Sequence, residues 1–175
     1  MKTLPTFCVV LLTVFLVLTN QRINAMEKKS VEKATVLMCS LESSLATLTN
    51  DVGTLANDLQ KMASDLNLEI IGPQFWQYTN SDGQPNTKFL LDICIPVKEA
   101  KGNPGRFKFV ELPVFNCISE IHKGPWNTMM NAYQKIMGEV TRKSIPFSGV
   151  SREVYILSDF ENQENCITEI QFEIY

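Results

Sequence analysis

An internal repeat is the feature of this sequence that most limits the folds open to it. A shift of 77 residues aligns positions 68–97 with positions 145–174 without a gap. Chance would give about two identities over a stretch of that length. Five positions are identical: Gly72 and Gly149, Tyr78 and Tyr155, Ser81 and Ser158, Asp82 and Asp159, and Ile93 and Ile170. Because a repeat of this kind is one supersecondary unit, the sequence predicts two tandem copies of a single unit.

The residue pattern within each copy predicts a strand, a helix and then a two-stranded hairpin. In the first copy, strand-like segments lie at 34–39, 74–78 and 87–97, and apolar residues recur at steps of three and four from Leu45 to Leu66. The second copy has strand-like segments at 115–122, 150–157 and 166–174, and its helix begins at Gly124-Pro125. We therefore predict an α+β fold, a pseudo-twofold tandem repeat of β-α-β-β units over about 34–97 and 107–174. The predicted fold has antiparallel sheets, two helices and a central ligand cleft.

The first residues predict an export signal. Lys2 gives a positive start, positions 7–18 are almost wholly apolar, and polar residues then lead to Ala25. An apolar core of about a dozen residues is short for a membrane span, which needs roughly 20. We expect a signal peptide at 1–25, a charged linker at 26–33 and the folded domain at 34–175. The protein is then exported, periplasmic or extracellular, with no stable membrane span after signal cleavage.

Charge, histidine and cysteine content argue against several classes of site. The net charge of -3 and the lack of a Lys/Arg cluster predict that nucleic acid is not a partner. One histidine, His122, and no closely spaced cysteines predict no metal site, and no cofactor is expected. The cysteines after the signal lie in apolar stretches, which favours buried thiols and leaves two disulfides, of open pairing, as the alternative. They are Cys39, Cys94, Cys117 and Cys166.

Aromatic residues of the two copies predict a shared ligand cleft. Side chains alternate along a strand, so Trp76 and Tyr78 share one face, and their repeat partners Glu153 and Tyr155 share the equivalent face of the second copy. Ligand sites favour the seam between two such units. The alternative is that these rings are core residues, which aromatic residues on strands often are.

Acidic residues predict the charge of the ligand that the cleft binds. Asp92 and Glu169 are repeat partners, and we expect both beside Glu153. A carboxylate among aromatic rings favours a cation, through charge pairing and cation–π contacts. The alternatives are that Glu153 pairs with Arg152, a lysine or solvent, and that Asp92 is an edge charge that discourages aggregation.

Four segments carry a family resemblance: Val110–Pro113, Ile121–Trp126, Ser151–Leu157 and Thr168–Phe172. They resemble the GyrI-like small-molecule-binding family, also called the AraC-type effector-binding domain. The resemblance implies a twofold β-α-β-β fold, which SOUL-type haem-binding proteins share. It also implies a cleft in which aromatic rings and an acidic residue hold bulky, often cationic, organic molecules. The cleft residues it implies are Glu153, Tyr155 and Glu169, with Trp126 where many members carry tyrosine.

Together these observations predict an exported, stand-alone protein that holds a bulky, cationic or amphipathic organic ligand. The predicted ligand-binding residues are Trp76, Tyr78, Asp92, Trp126, Glu153, Tyr155 and Glu169. One alternative is a hydrolase, as some family members are reported to be, with Glu153, Tyr155 and Glu169 in the catalytic roles. A second is a haem-binding or interaction protein. His122 is interpreted as a strand-end residue that caps the following helix region, with a ligand role as the alternative. A transcription regulator is not expected, because a signal peptide stands where many relatives have a DNA-binding domain.

Overall fold

In the computed structural model, which describes residues 26–175, eight strands form one antiparallel sheet. The strands are β1 (Glu27–Val31), β2 (Ala34–Ser43), β3 (Phe75–Thr79), β4 (Phe89–Val97), β5 (Lys108–Leu112), β6 (Phe115–Lys123), β7 (Phe147–Leu157) and β8 (Ile167–Ile174). The helices are α1 (Leu48–Val52), α2 (Leu55–Asp65) and α3 (Met130–Arg142), and 3₁₀ turns cover Trp126–Thr128 and Gln163–Asn165. The predicted α+β class is confirmed, whereas the predicted signal peptide lies outside the described residues.

The strand order, β1-β6-β8-β7-β3-β4-β2-β5, places the seam between the two halves at the centre of the sheet. There β3 pairs with β7. At the edges, β1 pairs with β6 and β5 pairs with β2, so the first strand of each half is hydrogen-bonded to the other half. Each half therefore runs β-β-α-β-β, one strand more than predicted, in one sheet rather than two. The sequence repeat itself stays a prediction.

The segment 26–33, predicted as a linker, instead contains the edge strand β1. It pairs with β6 from Glu27 opposite Ser119 to Val31 opposite Phe115. Charged residues are rare in central strands but common on sheet edges, where they discourage pairing with other chains. The linker prediction is therefore wrong for this segment, because its charge marks an edge strand.

The two faces of the sheet have different covers. On one face, which we call the helix face, α2 packs through Leu59 on β2 and β4, and α3 packs through Ile136 on β6 and β8. Each helix thus closes its own apolar cluster, and the seam between β3 and β7 lies between the two clusters. The opposite face, the open face, has a smaller apolar cluster that includes Phe75 and Cys94.

The helix predicted over 45–66 is divided into α1 and α2. Gly53 has a φ of +48°, a conformation that most side chains avoid, and it ends α1. The apolar stripe continues through the break, since Val52 and Leu59 are both buried in the same cluster. Periodicity therefore located the buried face correctly but not the interruption.

The four cysteines of the described residues are buried and free, as favoured from the sequence. Burial raises the pKa of the Cys39 and Cys94 thiols, and it raises that of Cys117 to about 11. Among residues 26–175, no helix is both long enough and apolar enough to span a membrane.

Candidate ligand-binding site

A buried carboxylate lies at the seam, on the helix face. Glu153 is in β7, directly opposite Trp76 of β3 and Ile170 of β8. Its side chain is only 7% exposed. Because strand residues alternate between faces, the central position of β7 aims this carboxylate into the space between α2 and α3.

Three tyrosine hydroxyls donate hydrogen bonds to this carboxylate. Tyr78 and Tyr155 both donate to Oε2, over 2.9 and 2.7 Å, and Tyr133 donates to Oε1 over 2.7 Å. They come from β3, β7 and α3, so both halves of the protein contribute. We call Glu153 with these three residues the carboxylate site.

The hydroxyls of the carboxylate site stay protonated far beyond the usual range. Burial, followed by the negative charge of Glu153, raises the pKa of Tyr78, Tyr133 and Tyr155 well above the ordinary value of about 10. Each hydroxyl therefore remains a donor at physiological pH. Three donors hold the carboxylate in one orientation.

The carboxylate has no cationic partner within the described part of the chain. The eight ion pairs between residues 26 and 175 do not include Glu153, so no Lys, Arg or His nitrogen of that region lies within 4.0 Å of its oxygens. Hydrogen bonds from neutral hydroxyls recover only part of the hydration that a buried charge loses. The site is therefore short of one positive charge.

Aromatic rings form the outer wall of the carboxylate site. Trp76 and Trp126 each meet the ring of Tyr155 edge to face, with centroids 5.6 and 6.0 Å apart, and Phe160 lies 5.3 Å from Trp126. Trp126 donates its indole N–H to Thr168 Oγ1 over 3.2 Å, whereas the buried indole nitrogen of Trp76 has no partner among the described residues. Phe160 is 78% exposed, so this wall extends to the protein surface.

Two of the predicted cleft residues lie on the open face instead. Ile93 is opposite Trp76 and Ile170 is opposite Glu153, so Asp92 and Glu169, one position away, point to the other side of the sheet. The prediction that all the acidic residues share one cleft is wrong for these two.

Both displaced acids have partners of their own on the open face. Asp92 accepts hydrogen bonds from Ser40 over 2.5 Å and from Gln77 over 3.4 Å. Glu169 forms an ion pair of 2.5 Å with Lys29 of β1. Neither carboxylate is free for a ligand at the seam.

The structure brings Trp76, Tyr78, Trp126, Glu153 and Tyr155 together as predicted, and it adds Tyr133, which the sequence did not single out as a ligand contact. Tyr133 lies on the same side of α3 as the buried residues Ile136 and Val140, with the spacing of a core residue. Its hydroxyl could have indicated a role at the site, because a buried tyrosine needs a hydrogen-bond partner.

His122 contacts the turn before α3 and makes no hydrogen bond to the Glu153 carboxylate. Its Nε2 is 3.0 Å from the carbonyl oxygen of Pro125 and 3.3 Å from Thr128 Oγ1, at the turn that precedes α3. The ring therefore fixes a local turn. This placement gives no support to a role in holding haem at the seam.

Comparison with known proteins gives the following matches. The family model for the GyrI-like small molecule binding domain matches residues 25–174, which confirms the resemblance seen in the sequence. The EcmrR C-terminal domain is 20% identical at a TM-score of 0.73, over 87% of this chain and 98% of that one. Comparison with curated protein sequences gives no significant match.

Two further solved structures share the fold. SAV2435 bound to tetraphenylphosphonium is 11% identical at a TM-score of 0.63, over 86% of this chain and 94% of that one. A hydrolase encoded by lin2189 of Listeria innocua is 12% identical at a TM-score of 0.59, over 93% and 98% of the two chains. At these identities the likeness is one of fold.

Proposed function

This chain belongs to the family of GyrI-like small-molecule-binding domains, and from that premise we propose that it binds a bulky organic cation at the carboxylate site. The observation that carries the proposal is the buried Glu153 carboxylate, which three hydroxyls orient and no protein cation neutralises within residues 26–175. A cationic ligand supplies the missing charge. An anion would add to the unpaired negative charge instead.

The aromatic wall explains why the cation should be large and apolar. Trp76, Trp126 and Tyr155 are only partly buried, so their ring surfaces remain available to a ligand. Each ring contact with a cation contributes roughly 0.5–2 kcal/mol, with more when the cation is desolvated. A small hydrated ion gains little from such walls, whereas an organic cation covers them and loses water at the same time.

The ligand of one structural relative supports this class. SAV2435 has been solved with tetraphenylphosphonium, a cation that carries four phenyl groups. The relation is one of fold, so the support for this chain comes from its own residues, which supply an acid and several rings at the seam. Tetraphenylphosphonium is therefore a reasonable first probe.

A thermal-shift screen tests this proposal. The chain from residue 26 onward, which contains every described element, is heated with lipophilic cations and with neutral and anionic molecules of matched shape. Binding raises the apparent melting temperature by mass action. We expect cations alone to act through the carboxylate site and to lose their effect in Glu153→Gln.

The chain provides a matched control for that screen. Glu169→Gln removes a carboxylate of similar burial from the open face. Cation stabilisation should persist in this variant. Equal loss in Glu153→Gln and Glu169→Gln, or stabilisation by cations that survives in Glu153→Gln, would count against the proposed site.

A hydrolase is the second candidate, and the hydrogen bond of Tyr155 to Glu153 favours it. In that role the carboxylate takes a proton from a water molecule as the water oxygen bonds to the ligand and the bond to a leaving group breaks. The protonated Glu153 then returns the proton to the leaving group, while a tyrosine hydroxyl orients the reacting group. The hits of the screen are incubated with the protein, and products are sought by mass spectrometry. Turnover that disappears in Glu153→Gln and Tyr155→Phe supports catalysis, and unchanged ligand supports binding alone.

We also propose that the protein acts after export. The apolar segment at 7–18 supports a signal peptide. β1 begins at Glu27, so cleavage after Ala25 leaves every described element intact. The mass of the protein recovered from cell fractions tests this. We expect Met26 as the first residue of an extracytoplasmic protein, and a cytoplasmic chain that keeps residues 1–25 would contradict it. That nucleic acid is not a partner also stays a prediction.

A further inference from the structure

A cavity lies on the open face, across the sheet from the carboxylate site. Its volume is about 450 Å³, within the range of roughly 300–1,000 Å³ that small-molecule sites occupy. Apolar side chains form most of its lining, among them Val31, Phe75, Leu112, Val154 and Ile156. A cavity of this kind favours the apolar body of an organic molecule.

Arg152 lies at the inner wall of this cavity and is only 6% exposed. The one hydrogen bond that its guanidinium donates to a described residue runs from Nε to Gln77 Oε1 over 2.9 Å. The group stacks on Phe115 and Phe75, with its carbon 3.7 and 4.9 Å from the ring centroids. These contacts hold the guanidinium by one edge and by its flat surface, and they leave the terminal nitrogens free to donate.

Arg152 forms no ion pair with a carboxylate of the described residues. None of the ion pairs within residues 26–175 includes it, and Glu169 of the cavity lining pairs with Lys29. Glu173, whose negative charge acts on Arg152 from beyond ion-pair distance, accepts a hydrogen bond from Ser148 over 2.5 Å. The remaining charged residues of the lining are Glu32 and Lys33, at its exposed edge. Burial also lowers the pKa of Arg152 to about 10, which leaves the group charged at neutral pH.

An unpaired acceptor lies beside this unpaired cation. Gln171 is the cross-strand neighbour of Arg152 and is 4% exposed. Its Nε2 donates to Glu169 Oε2 over 3.0 Å, which fixes the amide orientation, and its Oε1 is buried with no partner among the described residues. A buried acceptor without a donor is unfavourable, so a ligand that donates to Gln171 Oε1 would relieve this cost.

We propose that this cavity binds an organic carboxylate with an apolar body. The guanidinium donates to the carboxylate oxygens, the apolar lining covers the body, and Gln171 Oε1 accepts from a hydroxyl or amide N–H where the ligand has one. The site is independent of the proposed cation site. Consecutive residues of β7 serve the two faces, since Arg152 points to the open face and Glu153 to the helix face.

Calorimetric titration with three ten-carbon probes tests this inference: decanoate, decanol and decyltrimethylammonium. They share an apolar chain and differ in the charge of the head group. Decanoate should bind the open-face cavity more tightly than decanol by about tenfold, because a hydrogen bond to a charged group is stronger than one to a neutral group. Decyltrimethylammonium should gain nothing from Arg152.

Two kinds of variant locate the decanoate site. Arg152→Met keeps an unbranched apolar stem and removes the guanidinium with its charge, and it should weaken the binding of decanoate by about tenfold or more. Because that change also removes two ring contacts, a second pair avoids the core. Ile156 lines the cavity and is 49% exposed. Ile156→Glu should bind decanoate more weakly than Ile156→Gln, which introduces a side chain of the same size without the charge. This difference in affinity should shrink in high salt.

Glu153→Gln is the control for the other face, and it should leave the decanoate affinity unchanged. Any one of four results would overturn the inference. The wild type would not bind decanoate, or decanol would bind as tightly as decanoate, or Ile156→Glu and Ile156→Gln would bind it equally. A loss of decanoate binding in Glu153→Gln would place the decanoate head group on the helix face and would also overturn the inference. None of these results depends on whether cations bind at the seam.

Discussion

Replacing Glu153 by glutamine should cost the unliganded protein little stability, although it replaces the charged acceptor of three hydrogen bonds by a neutral amide. Each hydroxyl gains about 1 kcal/mol more from a charged acceptor than from a neutral one, so the three bonds lose roughly 3 kcal/mol. Burial of an unpaired carboxylate costs several kcal/mol, and glutamine avoids that cost. We therefore expect the free energy of unfolding to change by less than about 2 kcal/mol.

The same substitution should strongly weaken the binding of a cation. A charge about 4 Å from the carboxylate gains about 4 kcal/mol at an effective dielectric constant of 20, and desolvation of the ligand takes back part of it. A net loss of about 2–4 kcal/mol corresponds to roughly 30-fold to 1,000-fold weaker binding. The unpaired carboxylate thus lowers the stability of the unliganded protein and raises its affinity for a cation.

Urea unfolding with and without ligand measures both effects. Glu120→Gln is the matched control, because Glu120 is buried to a similar extent but pairs with Lys135 over 2.9 Å. Because Lys135 is exposed and can be solvated, this control should lose only about 1–2 kcal/mol of stability and keep its affinity for cations. If Glu153→Gln loses more than about 4 kcal/mol with an unchanged denaturant slope, the carboxylate is a structural element and the reasoning is refuted.

Three further predictions follow from the same geometry. The tyrosines of the carboxylate site have raised pKa values, so the stability that they contribute is present below about pH 10 and is lost as the pH rises further. Absorbance at 295 nm near pH 10.5 should therefore show fewer ionised tyrosines in the folded protein than in guanidinium, and equal numbers would contradict this. Trp76→Phe removes a buried N–H that lacks a partner, so urea unfolding should show a stability loss below about 1 kcal/mol. Calorimetry of the same variant should show weaker cation binding. A large loss of stability would mean that the ring is chiefly a core residue. The four buried thiols should react with a thiol reagent far more slowly in the native protein than after unfolding, and rapid native reaction would contradict their burial.

The arrangement of the site could be predicted from the sequence only as far as strand alternation reaches. Alternation correctly placed Trp76 with Tyr78, and Glu153 with Tyr155, because each pair lies on one strand. It could not place Asp92 or Glu169 against them, because the pairing register between strands is a tertiary property and a shift of one residue exchanges the faces.

Two other differences have equally specific causes. β1 was not recognised because its charged residues have low strand propensity, and only the edge position, which is set by pairing with β6, makes them suitable. Tyr133 was not recognised as part of the site because its helical spacing is that of a core residue. The carboxylate that it contacts lies 20 positions away in the chain.

The most direct test of the central claim is a calorimetric titration with tetraphenylphosphonium and tetraphenylborate, which have nearly the same shape and opposite charges. The account predicts that the chain from residue 26 onward binds the phosphonium, that Glu153→Gln weakens this binding by about 30-fold or more, and that any binding of the borate is unaffected by that substitution. Binding of the borate at least as tightly as the phosphonium, or equal phosphonium affinity in wild type and Glu153→Gln, would contradict it.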